Sequence, residues 1–164
     1  MTTDDHQAAP EEWSNKRLEI AYQEARAVLE TQQSTVNDTD NKALRTTRLT
    51  ILLIAAVISA TTNNLVSLNP AWAIIGGALF VLSLLVGLLT YDDTALFVGP
   101  NRAYIARLAR DDFTETSWEY DLVTTFGDWI NENQSAVDRN SQLLALTQAL
   151  FFLGIVSITF AVLF

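Results

Sequence analysis

Residues 49–90 read LTILLIAAVISATTNNLVSLNPAWAIIGGALFVLSLLVGLLT, 42 residues without a single Asp, Glu, Lys or Arg. They form two apolar runs joined by the polar corner Thr61-Thr62-Asn63-Asn64 and closed by Leu68-Asn69-Pro70. A hydrocarbon layer about 30 Å thick takes roughly 20 apolar residues per helical crossing, so this stretch is long enough for two crossings and a tight turn. It reads as a transmembrane hairpin, with a first crossing over 46–66, an external turn at 67–70 and a second crossing over 71–90.

A third charge-free run, Leu143 to Phe164, covers 22 residues and follows Arg139. It suffices for one further crossing. Lys42, Arg45 and Arg48 stand just before the first run, Arg102, Arg107 and Arg110 follow the second, and the corner between them has no basic residue. Basic residues near membrane helix ends stay on the cytoplasmic side, which places the N-terminus inside, the hairpin turn outside and the C-terminus outside the cell membrane. Trp72 and Tyr91, at opposite ends of the second run, suit interfacial anchors.

Small residues recur one helical turn apart: Ala55 with Ser59, Ala56 with Ala60, Ala73 with Gly77, and Ser83 with Gly87. Lipid supplies no hydrophobic reason for helices to associate, and small side chains let them approach closely. Ala56, Ala60, Ala73, Gly77, Ser83 and Gly87 are therefore the candidate packing residues, expected to close the two hairpin helices on each other while the third completes the bundle.

Hydrophobic residues make up 49% of the 164, concentrated in blocks, and the mean hydropathy of +0.18 reflects the acidic flanks. Residues 1–48 hold 6 basic and 9 acidic side chains, residues 91–140 hold 4 and 10, and the net charge is −9. An acidic surface without a basic patch argues against nucleic acid as a partner. Only Lys16 and Lys42 are lysine, and Asp outnumbers Glu by 11 to 8. That composition resembles soluble surfaces of salt-loving archaea; a simply acidic protein is the plainer alternative. The absence of cysteine removes disulfides and thiol chemistry. The opening MTTDDHQAAPEEW has no apolar core and is not read as a cleaved signal peptide.

Residues 1–10 read as a disordered tail, and Pro10-Glu11-Glu12 suits a helix start. A cytoplasmic amphipathic helix is expected over 11–45, where Leu18, Tyr22, Ala25, Leu29 and Val36 fall on one stripe that Gln32 interrupts. The stripe is either a packing face against another cytoplasmic helix or a dimer seam. Asn37-Asp38-Thr39-Asp40-Asn41 either breaks this helix, with Asp38 or Asp40 capping the next, or is part of one helix running straight into the membrane.

Residues 91–140 are expected to form a cytoplasmic helical insert. Tyr104, Ile105 and Leu108 fall on one face of a short helix. Trp118, Leu122, Phe126 and Trp129-Ile130 then recur at helical spacing among Glu115, Glu119, Asp121, Asp128 and Glu132. With Phe113 these aromatics exceed what a solvated helix exposes. They are expected to pack on the Leu18 to Val36 stripe; the rival reading lays them on lipid headgroups, for which basic rather than acidic neighbours are usual.

His6 is the single histidine, so catalytic triads and imidazole metal clusters have no basis. Gly76-Gly77 lacks the lysine of a phosphate-binding loop. The pairs Asp92-Asp93 and Asp111-Asp112 lack calcium-loop spacing and read as solvated surface. The sequons at Asn37 and Asn133 fall on the expected cytoplasmic side. No cofactor and no metal are expected. Ion pathways usually carry ionisable residues within a crossing, and these runs offer only groups such as Thr61, Thr62, Asn63, Asn64, Thr147, Gln148, Ser157 and Thr159. Such groups serve as interhelical glue in a monomer or line a pore in an oligomer.

The order of elements, with Thr39-Asp40-Asn41-Lys42-Ala43-Leu44, Val98-Gly99-Pro100-Asn101 and Trp129-Ile130-Asn131-Glu132-Asn133, resembles a set of uncharacterised haloarchaeal three-transmembrane-helix membrane proteins. More distantly, the layout resembles the transmembrane effectors of cyclic-nucleotide anti-phage systems and SLATT-type effector modules. That resemblance spans residues 15–164 and implies a membrane effector that oligomerises and compromises the membrane on a cytoplasmic signal.

The expected class is therefore all-α: three transmembrane helices and a small cytoplasmic helical subdomain. The expected role is non-enzymatic, with self-association or protein-partner binding through Leu18, Tyr22, Leu29, Trp118, Leu122, Phe126 and Trp129, as an effector or signalling adaptor. A small channel or transporter subunit is the alternative. In intact cells, a membrane-impermeant maleimide is expected to label Ser67→Cys and to spare Glu115→Cys; the reverse pattern would invert the topology.

Overall fold

The computed structural model describes residues 13, 15–90, 96–108, 110 and 115–164. The tail at 1–10, the helix start at Pro10-Glu11-Glu12, His6, Tyr91, the two Asp pairs and Phe113 lie outside them, as does the Leu108 side chain. The secondary structure of the described residues is helical throughout: α1 (Lys16–Thr62), α2 (Pro70–Thr90), α3 (Arg102–Leu108) and α4 (Glu115–Leu163). Three of these, α1, α2 and α4, are long and apolar enough to cross a membrane.

Asn15 caps α1. Its Oδ1 accepts from the Arg17 N–H at 2.9 Å, and its carbonyl accepts from Leu18 and Glu19 at 3.0 and 3.1 Å. From Lys16 to Thr62 there is no glycine or proline, and Asn37-Asp38-Thr39-Asp40-Asn41 leaves the helix unbroken. Asp38 and Asp40 are interior positions rather than caps. The Thr39 hydroxyl donates to the Thr35 carbonyl at 2.8 Å, so this polar residue is satisfied inside a continuous helix, the second of the two alternatives the sequence offers.

The polar corner is a helix stop. Asn64 takes a left-handed conformation with φ of 55°, the Leu65 N–H reaches back to the Ala60 carbonyl (2.9 Å) and the Asn64 N–H to the Thr61 carbonyl (3.1 Å). This is a Schellman closure, with asparagine in the position glycine usually takes. Thr61 and Thr62 hydroxyls and the Asn63 amide donate back to the carbonyls of Val57, Ile58 and Ser59, so these polar side chains are satisfied by the helix's own backbone. Asn69 then caps α2 through the Ala71 N–H at 3.0 Å, with Pro70 in the first helical position where its missing N–H costs nothing.

The third apolar run is not a separate helix: α4 carries the aromatic stretch and Leu143–Leu163 without interruption. By contacts the chain divides into two compact units, one of Met1–Thr31 with Phe97–Glu132, the other of Gln32–Leu96 with Asn133–Phe164. In the first, ring contacts of Trp13 with Trp118 and Tyr22 with Phe126 show α1 and α4 running in the same direction. In the second, the Gln32 amide meets Gln134 at 3.3 Å, and the Asn69 N–H donates to the Ala161 carbonyl at 2.8 Å near the far ends. There α1 and α4 are again parallel and α2 runs against both.

Asp40, in the second unit, has a carboxylate oxygen that is buried without a hydrogen-bond partner, and desolvation raises its pKa above the ordinary 3.8. An acid with a raised folded-state pKa is harder to ionise in the fold, so stability is greatest below the unfolded value and falls as pH rises through the folded one. Thermal unfolding of Asp40→Asn in detergent is expected to match the parent at pH 3.5 and to exceed it at pH 7. A parent that is the more stable at pH 7 would contradict this.

Candidate functional site

The first unit has one core: Leu29, Tyr104, Leu122, Phe126 and Trp129, with Trp13, Tyr22, Ala25, Trp118 and Ile130 packed against it. Leu29 and Phe126 are 2% and 1% exposed. Tyr22 meets the Phe126 ring edge-on at 5.3 Å, Phe126 meets Trp129 at 5.0 Å, and Trp13 bridges Tyr22 and Trp118 at 5.2 and 5.4 Å. Aromatic pairs at such separations contribute beyond their buried area. Of the residues named from sequence, Tyr22, Leu29, Trp118, Leu122, Phe126 and Trp129 are brought together here, and Leu18 is half-buried.

Trp13 and Phe97 carry no periodic signal, and the short α3 adds Tyr104. Trp13 precedes α1. Tyr104 is held inward on α3, whose start is fixed by Asn101 accepting from the Tyr104 N–H at 2.8 Å. Ile105, expected on the same face, is 55% exposed. Phe97 stacks on Trp129, centroids 6.1 Å apart and planes 6° from parallel, while staying substantially exposed. Glu119, noted from sequence only as one of the acids among the aromatics, is buried because it occupies the same stripe as Leu122, Phe126 and Trp129.

The second unit is built the other way round. Its largest fully buried side chains are Thr50, Ser83, Thr90 and Thr147, each 0% exposed, whereas Leu52, Ile74, Leu85, Leu88 and Phe152 face outward. Thr46, Thr50, Thr90 and Thr147 hydroxyls donate to carbonyls one turn earlier, and Ser83 donates to the Thr147 carbonyl across the α2–α4 interface at 2.9 Å. With its hydroxyl satisfied, each threonine presents a compact methyl group to its neighbour.

α2 approaches both partners most closely at glycine. A Cβ on Gly87 would come within 2.7 Å of the Thr47 hydroxyl and 3.3 Å of the Thr147 methyl. One on Gly76 would meet Ile158 at 2.8 Å, and on Gly154 of α4 the Phe80 ring at 2.6 Å. No family model, curated protein or solved structure matches this chain. Its site is accordingly read from these contacts alone.

The small residues of the hairpin therefore divide. Ser83 and Gly87 sit at helix contacts, but chiefly toward α4 as well as α1. Ala56 is exposed and Ala60 half-buried. Gly77 has nothing within 4 Å of its would-be Cβ, and Gly76 makes the close approach instead. Ala73 and Gly77 line a half-open apolar groove of about 310 Å³ with Ile54, Val57, Phe80 and Ile158. The outer half of the hairpin is thus parted rather than closed. Gln148 is half-buried, and Asn63 is occupied in the α1 stop.

Removing the Phe126 ring leaves a void that neighbouring aromatics on two helices cannot close. Phe126→Ala is expected to cost about 3–5 kcal/mol, with Phe126→Leu costing less. Trp fluorescence during chemical unfolding measures both, and an unchanged midpoint for Phe126→Ala would contradict the packing described.

Proposed function

We propose that the chain is a non-enzymatic integral membrane protein crossing the bilayer three times, with its N-terminus and aromatic unit cytoplasmic and its C-terminus outside. One observation carries this reading: in the second unit Thr50, Ser83, Thr90, Thr147 and close-packed glycines lie inside with the rings of Phe80 and Phe151, while Leu52, Ile74, Leu85, Leu88 and Phe152 face outward. In water such an arrangement would expose a large apolar surface. In lipid it is the low-energy one, because small residues allow close helix packing and the outward side chains meet hydrocarbon.

Its activity in this reading is association, as a membrane effector or signalling adaptor. The aromatic side chains of α4 named from sequence are engaged within their own unit, so they hold it together. Association with a second copy or a protein partner falls to apolar residues that the core leaves out, among them Phe97, Val98 and Ile105. A channel within a single copy is disfavoured for a physical reason, which leaves the channel alternative to an assembly of copies. A path through one copy would have to pass Thr50, Ser83, Thr90 and Thr147, which fill the interior and spend their hydroxyl protons on backbone carbonyls.

Controlled expression with a potential-sensitive dye tests the effector role. Expression of the parent is expected to depolarise the host membrane, and Ile105→Asp to relieve this while remaining in carbonate-washed membranes. Harmless expression of the parent together with a monomer in detergent would overturn the reading.

A further inference from the structure

The groove between α1 and α2 is lined only by apolar side chains, and two that reach its rim, Ile58 and Val81, are 57% and 53% exposed. It opens on the outward apolar surface and not on the buried interior. We propose that it holds one hydrocarbon chain of a membrane lipid, taken from the leaflet at the α1–α2 turn. This rests on the membrane reading above and adds to it a specific ligand and place.

Dimensions select the occupant. Along α2 the lining runs from Ala73 to Val81, about 12 Å at 1.5 Å per residue, which is close to half of a hydrocarbon layer about 30 Å thick. Ala73 lies within one turn of the start of α2 at Pro70, so the groove begins near the hairpin turn and ends near the bilayer centre. One lipid tail of that leaflet spans the same interval.

Volume separates a lipid tail from a helix of a second copy. Even the whole open space of the groove, about 650 Å³, is below the roughly 900 Å³ that about 12 Å of a helix about 10 Å across would fill. The groove admits a single flexible chain. Water is disfavoured because it would find no polar partners on these walls. Left empty, the walls would forfeit dispersion contacts that a hydrocarbon chain restores.

Gly77 makes the site testable without disturbing the fold, since a side chain there would enter open space. The full chain is reconstituted in phosphatidylcholine–phosphatidylglycerol vesicles containing a phospholipid with a diazirine on one acyl chain, then photolysed and mapped by mass spectrometry. Adducts are expected on Ile54 and Val57, the half-buried α1 side chains of the groove, at least fivefold above those on Ile74 and Leu82, which face bulk lipid. Gly77→Leu, and independently Ala73→Leu, are expected to remove that excess and leave Ile74 and Leu82 labelling unchanged.

Labelling of Ile54 and Val57 at or below the level of Ile74 would overturn the proposal while leaving the membrane reading standing. So would an excess that survives both substitutions. Loss of a dimer on Gly77→Leu, seen by light scattering in detergent, would assign the groove to a second copy. No adducts at Ile74 and Leu82 either would overturn the membrane reading itself.

Discussion

Hydroxyls of Thr39, Thr46, Thr50, Ser83, Thr90 and Thr147 all donate to backbone carbonyls, and the packing of the three-helix unit depends on it. A buried hydroxyl without a partner costs free energy anywhere, and where water is absent nothing else can supply one. Because the helix's own carbonyls do so, threonine becomes a small branched spacer. Helices then approach until a Cβ at Gly76, Gly87 or Gly154 would collide with a neighbour. Phe80 finds room inside against Gly154, and the aliphatic side chains of Leu52, Ile74, Leu85 and Leu88 turn outward.

The same economy governs the ends of the helices. At the α1–α2 turn, Thr61, Thr62, Asn63 and Asn64 supply the donors and the left-handed residue needed to end α1, and Asn69 supplies the acceptor that starts α2. A cluster that looks like polar lining for a pathway is spent on closing a helix. In the aromatic unit the chemistry is ordinary burial, with Leu29 and Phe126 at its centre and α1 and α4 running in parallel.

Length and absence of charge made the three apolar runs legible in the sequence, and the stripe Leu18, Tyr22, Leu29 and the series Trp118, Leu122, Phe126, Trp129 were legible from their period. What stayed hidden has identifiable causes. Asn37 to Asn41 resembles a break because capping residues are the same ones that tolerate helix interiors when their side chains bond back or point outward. Gly76 and Gly77 are adjacent, and within a run lacking charge no polar face orients the helix, so the one at the contact could not be told from the one at the groove. Trp13 precedes its helix and shares no period, and on the short α3 the period named Tyr104 correctly but Ile105 with it. Glu119 was hidden because a carboxylate reads as surface whatever its heptad position.

The inverted unit ties these parts together: satisfied hydroxyls inside, close glycine contacts between helices, hydrocarbon side chains outside, and a groove where the hairpin parts. Its central requirement is a surrounding of lipid. A nitroxide walked along α2 from Trp72 to Leu89 in reconstituted vesicles tests this most directly, by comparing collisions with oxygen and with a water-soluble nickel chelate. The expected result is oxygen access peaking at Ile74, Val81, Leu85 and Leu88 with helical period, dipping at Gly76, Ser83 and Gly87, and chelate access low across the span. Chelate access at Val81 and Leu85 equal to that of a soluble surface site would contradict it.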